Sequence, residues 1–155
     1  MSGLRDRALA ALDAAARAAG AAGTAALAAI VLWVVVSRYG FGSTPRWSEE
    51  LPRLILVWVA FTGLVSGFAR NSHFRAGLLQ LVLPEGRARR AVLALAGLAT
   101  LAFLAVLAVS GWKIAMFTWH HRTTAMALPG GLFYLALPLG AGLSILAIFL
   151  RGGRP

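Results

Sequence analysis

The chain has 155 residues and a mass of 16.3 kDa; 59% of its residues are hydrophobic and only 13% are charged. A typical soluble domain carries about 25% charged residues, and one of this size cannot bury so much apolar surface. With a mean hydropathy of +0.77, the composition excludes a water-soluble enzyme and indicates an integral membrane protein.

The charge balance is strongly basic, with 15 Lys and Arg against 5 Asp and Glu. Nucleic-acid-binding proteins share such a balance, but they collect the basic residues on a soluble face. Here arginines flank apolar runs, which is the pattern of loops in membrane proteins. We therefore expect the lipid bilayer, and no nucleic acid, as a partner. Because the chain has no Cys, it has no disulfide and no Cys-ligated metal.

Four apolar runs predict four transmembrane helices, over 18–38, 52–70, 91–113 and 130–150. A bilayer core of about 30 Å needs about 20 helical residues, and the first, third and fourth runs are long enough. The second has 16 uncharged residues between Arg53 and Arg70, and both arginine side chains can extend to the headgroups. The predicted fold class is an all-α integral membrane protein in which residues 1–155 form a single four-helix domain.

The basic residues predict the orientation of these helices. If the N-terminus is cytoplasmic, the segments on that side carry 10 Arg and the outer segments carry 5 Lys and Arg. This bias predicts that both termini are cytoplasmic. Between the second and third spans, residues 73–83 place apolar side chains on one side, which predicts a short amphipathic helix in the cytoplasmic interface.

Two adjacent carboxylates begin the second span. Ser48 is a candidate cap, Glu49 and Glu50 suit the positive end of the helix dipole, and Arg53 has the spacing for an ion pair with either. Cation binding or proton transfer is the chemical alternative, but both residues lie at the membrane edge. Contact with a partner or with Arg46 is favoured over that chemistry.

The three histidines do not form a metal site in this topology. His73 follows the second span on the cytoplasmic side, whereas His120 and His121 lie in the outer loop. Residues on opposite sides of the bilayer cannot share a metal, and one His is weak evidence for a site. We therefore expect no cofactor, no metal and no catalytic residue.

Small residues in the spans predict close helix packing. Gly63 and Gly67 form a GxxxG motif, and Gly140 with Ser144 repeats the small-xxx-small spacing. Pro138 is expected to kink the fourth span. No span carries an ionisable residue near its centre, which argues against an ion or substrate pathway through this chain alone.

The segment WSEELPRLILVWVAFTG at 47–63, followed by Arg70 and His73, resembles a known family. It is similar to the small membrane subunit of tripartite ATP-independent periplasmic (TRAP) transporters. In that family a W-x-E-E-x-x-R segment opens the second span, a V-W-x-x-F-x-G run fills it, and an R-x-x-H pair closes it. Gly77 and Ser72 stand where the family usually has Asp and Gly. The matching residues are Trp47, Glu49, Glu50, Arg53, Trp58, Gly63, Arg70 and His73.

The resemblance implies a non-catalytic scaffold subunit in the bacterial inner membrane. Its partners would be a large multi-span membrane subunit and a periplasmic solute-binding protein. The large subunit would hold the sodium and substrate sites for sodium-coupled uptake of an organic acid. The motif residues would orient the second span and its partner contacts.

Two other functions remain open from the residues. One is a haem-binding membrane anchor of a redox complex, which would colour the purified protein. The other is a stand-alone small transporter or channel, which would conduct solute in liposomes without a partner and is disfavoured by the uncharged span centres.

Overall fold

The computed structural model describes residues 2–70 and 86–151. The predicted interfacial helix at 73–83 and His73 lie outside the described residues. The elements are α1 (Ser2–Gly40), a 3-10 helix (Arg46–Ser48), α2 (Glu50–Ala69), α3 (Arg87–Phe117), the short α4 (Gly131–Tyr134) and α5 (Ala136–Arg151).

Four helical segments within the described ranges are long and apolar enough to cross a membrane. They are α1, the 3-10 helix with α2, α3, and α4 with α5. The predicted all-α class, with four helices long and apolar enough to cross a membrane, is therefore confirmed for this part of the chain.

Helix α1 packs against α2 through glycines in its alanine-rich half. It has 39 residues, which at about 1.5 Å per residue exceed the thickness of a bilayer core. A Cβ atom placed on Gly20 would lie 3.2 Å from Oγ1 of Thr62, and one on Gly23 would collide with the side chain of Val59. Since position 20 meets position 62 and position 23 meets position 59, the two helices are antiparallel and closely packed.

Helix α5 is the centre of the bundle. It packs against α1, α2 and α3, whereas in the described ranges α3 contacts α4 and α5 but neither α1 nor α2. Small residues let the helices approach: Gly140 faces Phe61 of α2, and Gly111 of α3 faces Leu137 and Pro138. The buried residues of α5 are Ala136, Gly140, Ala141, Ser144 and Ala147.

The fourth span stays helical on the N-terminal side of Pro138. Helix α4 ends at Tyr134 and α5 begins at Ala136, but Leu135 between them has φ −64° and ψ −25°, and its N–H donates to the carbonyl of Gly131 at 2.8 Å. Proline has no N–H to bond the carbonyl four residues earlier. The two assigned helices therefore meet beside residue 134, whose carbonyl would have been the proline's partner, and the kink at Pro138 stays a prediction.

Helix α2 begins differently from the prediction. Ser48 belongs to the 3-10 turn, where its backbone N–H donates to the carbonyl of Pro45 at 3.1 Å. The residue that precedes α2 is Glu49, and it makes no side-chain capping hydrogen bond. The prediction that Ser48 caps α2 is therefore wrong, because the 3-10 turn displaces it from the capping position.

Large apolar side chains cover the outside of the bundle. Leu95 and Phe103 of α3 are 69% and 64% exposed, and Leu32 of α1 is 65% exposed. In water such a surface would aggregate, whereas lipid or an apolar partner covers it without cost.

Candidate functional site

One end of the bundle is built from residues 41–49 and the loop 118–130, and we call it the loop end. The loop folds back on itself: the N–H of Gly130 donates to the carbonyl of His121 at 2.7 Å, and that of Thr123 to Leu128 at 2.9 Å. Arg122 donates from Nη1 to the carbonyl of Ala127 at 3.2 Å. Ala127 has a φ of 53°, a left-handed conformation that the surrounding hydrogen bonds must hold.

Glu50 fastens this loop to the first turn of α2. Its Oε1 accepts a hydrogen bond from the backbone N–H of Ala125 at 2.8 Å, and its Oε2 accepts one from that of Met126 at 2.9 Å. The hydroxyl of Thr124 lies 3.4 Å from Oε1. Both carboxylate oxygens are thus used within the chain, in charge-assisted bonds to backbone donors.

The same contacts favour the ionised form of Glu50, which precedes the apolar part of α2. Hydrogen bonds from backbone N–H groups stabilise the carboxylate relative to its protonated form. The positive end of the α2 dipole acts in the same direction. The carboxylate therefore stays ionised at neutral pH and is suited to structure, not to proton transfer.

Trp58 makes a second link between α2 and the fourth span. Its indole N–H donates to the backbone carbonyl of Leu132, in α4, at 3.2 Å. Since α4 is a single turn of helix at the start of the fourth span, this bond helps to position that end of the span against α2. Glu50 and Trp58 therefore both join α2 to the polypeptide that follows α3.

The remaining described motif residues, before and along α2, are exposed or half-buried. Glu49, Arg53 and Gly63 are exposed, and Trp47 is half-buried. In the described ranges, Glu49 and Glu50 form no ion pair with Arg53 or Arg46. The predicted ion pairs are wrong, because the loop 118–130 supplies the partners of Glu50 and leaves Glu49 and Arg53 pointing away from the bundle.

Arg70 lies at the opposite end of the bundle, which we call the arginine end, and its side chain binds within the chain. Its Nε donates to Oδ2 of Asp13 at 3.0 Å, and the Ser66 hydroxyl donates to Oδ1 at 2.6 Å. Arg17 lies 3.1 Å from the same Oδ2 atom. Asp13 was not predicted as a site residue; its sequence signal was the acidic residue four positions before Arg17 in an alanine-rich helix.

The structure buries some of the predicted packing residues and leaves others exposed. Gly140 and Ser144 are buried, and the Ser144 hydroxyl donates to the carbonyl of Gly140 at 2.7 Å. Gly67 is half-buried. Gly63 is exposed, and a Cβ atom placed there meets nothing within 4 Å.

The two described histidines lie on the loop surface. His120 and His121 are exposed, and the His121 ring centroid is 5.8 Å from that of Phe117. No group of three or more His, Cys, Asp or Glu residues within 2–70 and 86–151 is placed to hold a metal ion.

Comparison with known proteins agrees with the motif. The family described as "Tripartite ATP-independent periplasmic transporters, DctQ component" matches residues 27–152. Over 122 residues the chain is 30% identical to a protein of Haemophilus influenzae whose name describes it as a TRAP transporter small permease. That alignment covers 78% of this chain and 74% of the relative.

Proposed function

The chain belongs to the DctQ component family of TRAP transporters, and from this premise we propose that it is a non-catalytic scaffold. It spans the bacterial inner membrane with both termini in the cytoplasm. It binds a large multi-span subunit, which carries sodium and an organic acid delivered by a periplasmic solute-binding protein. The transport chemistry belongs to those partners, and this chain holds the large subunit in place.

The observation that carries the proposal is the division of the motif into inward and outward residues. Glu50, Trp58 and Arg70 make hydrogen bonds within the chain. Glu49 and Arg53, which belong to the same motif, are exposed. A carboxylate and a guanidinium that are exposed beside contacts made within the chain suit recognition of another protein, because charges held in place set register and orientation at an interface.

The interior of the bundle favours a scaffold over a chain that conducts ions or solute by itself. In the described ranges the buried polar side chains are Ser37 and Ser144. Both hydroxyls donate to backbone carbonyls, of Ser43 at 2.9 Å and of Gly140 at 2.7 Å. Ion and substrate pathways normally contain ionisable or unpaired polar groups near the span centres. In the described ranges the nearly enclosed ionisable group is Asp13, which lies at the arginine end and is paired with Arg17 and Arg70.

The experiment is affinity purification of the tagged chain from its native membranes in mild detergent, with partners identified by mass spectrometry. We expect a large multi-span membrane protein in fixed ratio with the wild-type chain. Recovery of the chain alone, or with redox subunits, would overturn the proposed function. Sodium-dependent uptake of an organic acid should be lost when the gene is deleted.

Charge reversal tests the outward residues separately. Glu49→Lys and Arg53→Glu should lower recovery of the large subunit about tenfold, since a close interfacial charge pair contributes roughly 1.5 kcal/mol or more. Lys113→Glu, an equal change at an exposed residue of α3, is the matched control and should retain the partner. If both α2 variants stay folded and retain the partner like the control, the outward pair is not the contact.

A further inference from the structure

The arginine end holds two guanidinium groups on one carboxylate oxygen. The Nε atoms of Arg17 and Arg70 lie 3.1 and 3.0 Å from Oδ2 of Asp13. Two separate helices therefore bring their cations together. The other oxygen of Asp13, Oδ1, accepts from the Ser66 hydroxyl at 2.6 Å and from Nε of Arg70 at 3.2 Å. Asp13 itself is nearly enclosed, with 14% of its side chain exposed.

Asp13 positions both arginines but uses only part of each guanidinium group. Their side chains are 53% and 51% exposed, and both use Nε toward Asp13. A guanidinium has five N–H donors, so the terminal Nη groups of each face outward with no acceptor among the described residues. Two positive charges against one negative charge leave the cluster of Arg17, Arg70 and Asp13 at +1, which one monovalent anion would balance.

Below the arginines, a shallow apolar track follows the seam between α1 and α2. Positions 17, 21, 24 and 28 share one face of α1, and positions 70, 63 and 56 share one face of α2, by helical spacing. Ala21, Ala28, Gly63 and Leu56 are exposed along this seam. The Thr24 hydroxyl donates back to the carbonyl of Gly20 at 2.8 Å, so this residue presents its methyl group to the surroundings.

We propose that Arg17 and Arg70 bind the phosphodiester of one anionic phospholipid, whose acyl chain lies along the track of residues 21, 24, 28, 56 and 63. The arginines end the uncharged runs of the first and second spans, which is the depth of the lipid phosphates. Guanidinium groups bind phosphate through paired hydrogen bonds. The small side chains of the track leave room for an acyl chain against the helices. The site does not depend on the transporter partners.

The test is native mass spectrometry of the purified full-length chain, titrated with phosphatidylglycerol or with phosphatidylcholine. We expect one phosphatidylglycerol to be retained preferentially. Arg17→Gln and Arg70→Gln should each lower its affinity about tenfold, which is typical for loss of a charge-assisted hydrogen bond. Arg38→Gln removes an exposed arginine from the other end of α1 and should leave retention unchanged. Equal losses in all three variants would overturn the site.

Asp13→Asn separates a built site from general charge. This variant adds one positive charge but releases the two guanidinium groups, so we expect weaker retention of phosphatidylglycerol. Tighter retention would mean that net charge alone attracts the lipid, and the proposal would be wrong. If inorganic phosphate at equal concentration displaces phosphatidylglycerol, the site binds a free anion and the proposal of a lipid site is likewise wrong. If a Gln variant does not fold, Arg17→Lys and Arg70→Lys keep the charge, and unchanged retention in both would overturn the role of the guanidinium pair.

Discussion

Substitution of Gly140 by Ala should loosen the contact between α2 and α5. A Cβ atom at this position would lie 2.5 Å from Cδ1 and 2.8 Å from Cβ of Phe61, whereas ordinary contacts are 3.4–4 Å. The ring of Phe61 can rotate away from the first clash. Its Cβ atom is fixed by the backbone of α2, so relief of the second clash requires the helices to move apart by roughly half an ångström or more.

The size of the effect follows from two opposing contributions. Overpacking a well-packed contact costs about 1–3 kcal/mol, and replacing glycine by alanine within a helix gains about 1 kcal/mol. Gly142→Ala is the matched control, because this residue lies on the same helix and a Cβ there meets nothing within 4 Å. The propensity gain is common to both variants, so the difference between them isolates the packing cost of about 1–3 kcal/mol.

The assay is thermal unfolding in one detergent, followed by circular dichroism, for the wild type and both variants. We expect Gly140→Ala to unfold below Gly142→Ala, by about 2–4 °C for each kcal/mol of packing cost. Gly142→Ala should equal or exceed the wild type. If Gly140→Ala is as stable as its control, the close approach of Phe61 to Gly140 does not hold the bundle together, and the reasoning is refuted.

Two further predictions concern the contacts between α2 and the polypeptide that follows α3. Trp58→Phe keeps the apolar ring but removes the bond to the carbonyl of Leu132, so stability should fall by about 0.5–1.5 kcal/mol in the same thermal assay; an unchanged midpoint would show that the bond contributes nothing. Glu50→Gln should expose the loop 118–130 to protease while Glu49→Gln does not, because only Glu50 accepts hydrogen bonds from Ala125 and Met126; equal cleavage of both variants would contradict this.

The candidate site was only partly predictable from sequence. The W-x-E-E-x-x-R motif identified the start of α2 and the family, but the pattern treated Glu49 and Glu50 alike. Their difference depends on where the loop 118–130 lies, and no local rule places residues 125 and 126 beside residue 50. For the same reason Arg70 was recognised, whereas its partner Asp13, distant in sequence, was not.

The sequence by itself determined that this protein is helical and membrane-embedded, because the length and polarity of apolar runs depend only on local composition and on the thickness of a bilayer. It also located the missing backbone hydrogen bond at Pro138, since the absent N–H of proline is a local property. The tertiary structure alone decided which glycines meet a neighbour: Gly23 and Gly140 do, whereas Gly63 remains exposed. Apolar residues surround each span, so nothing in their periodicity distinguishes a lipid-facing side from a packed one. Only the antiparallel pairing of α1 with α2, and the central position of α5, distinguishes the lipid-facing sides of the helices from the packed sides.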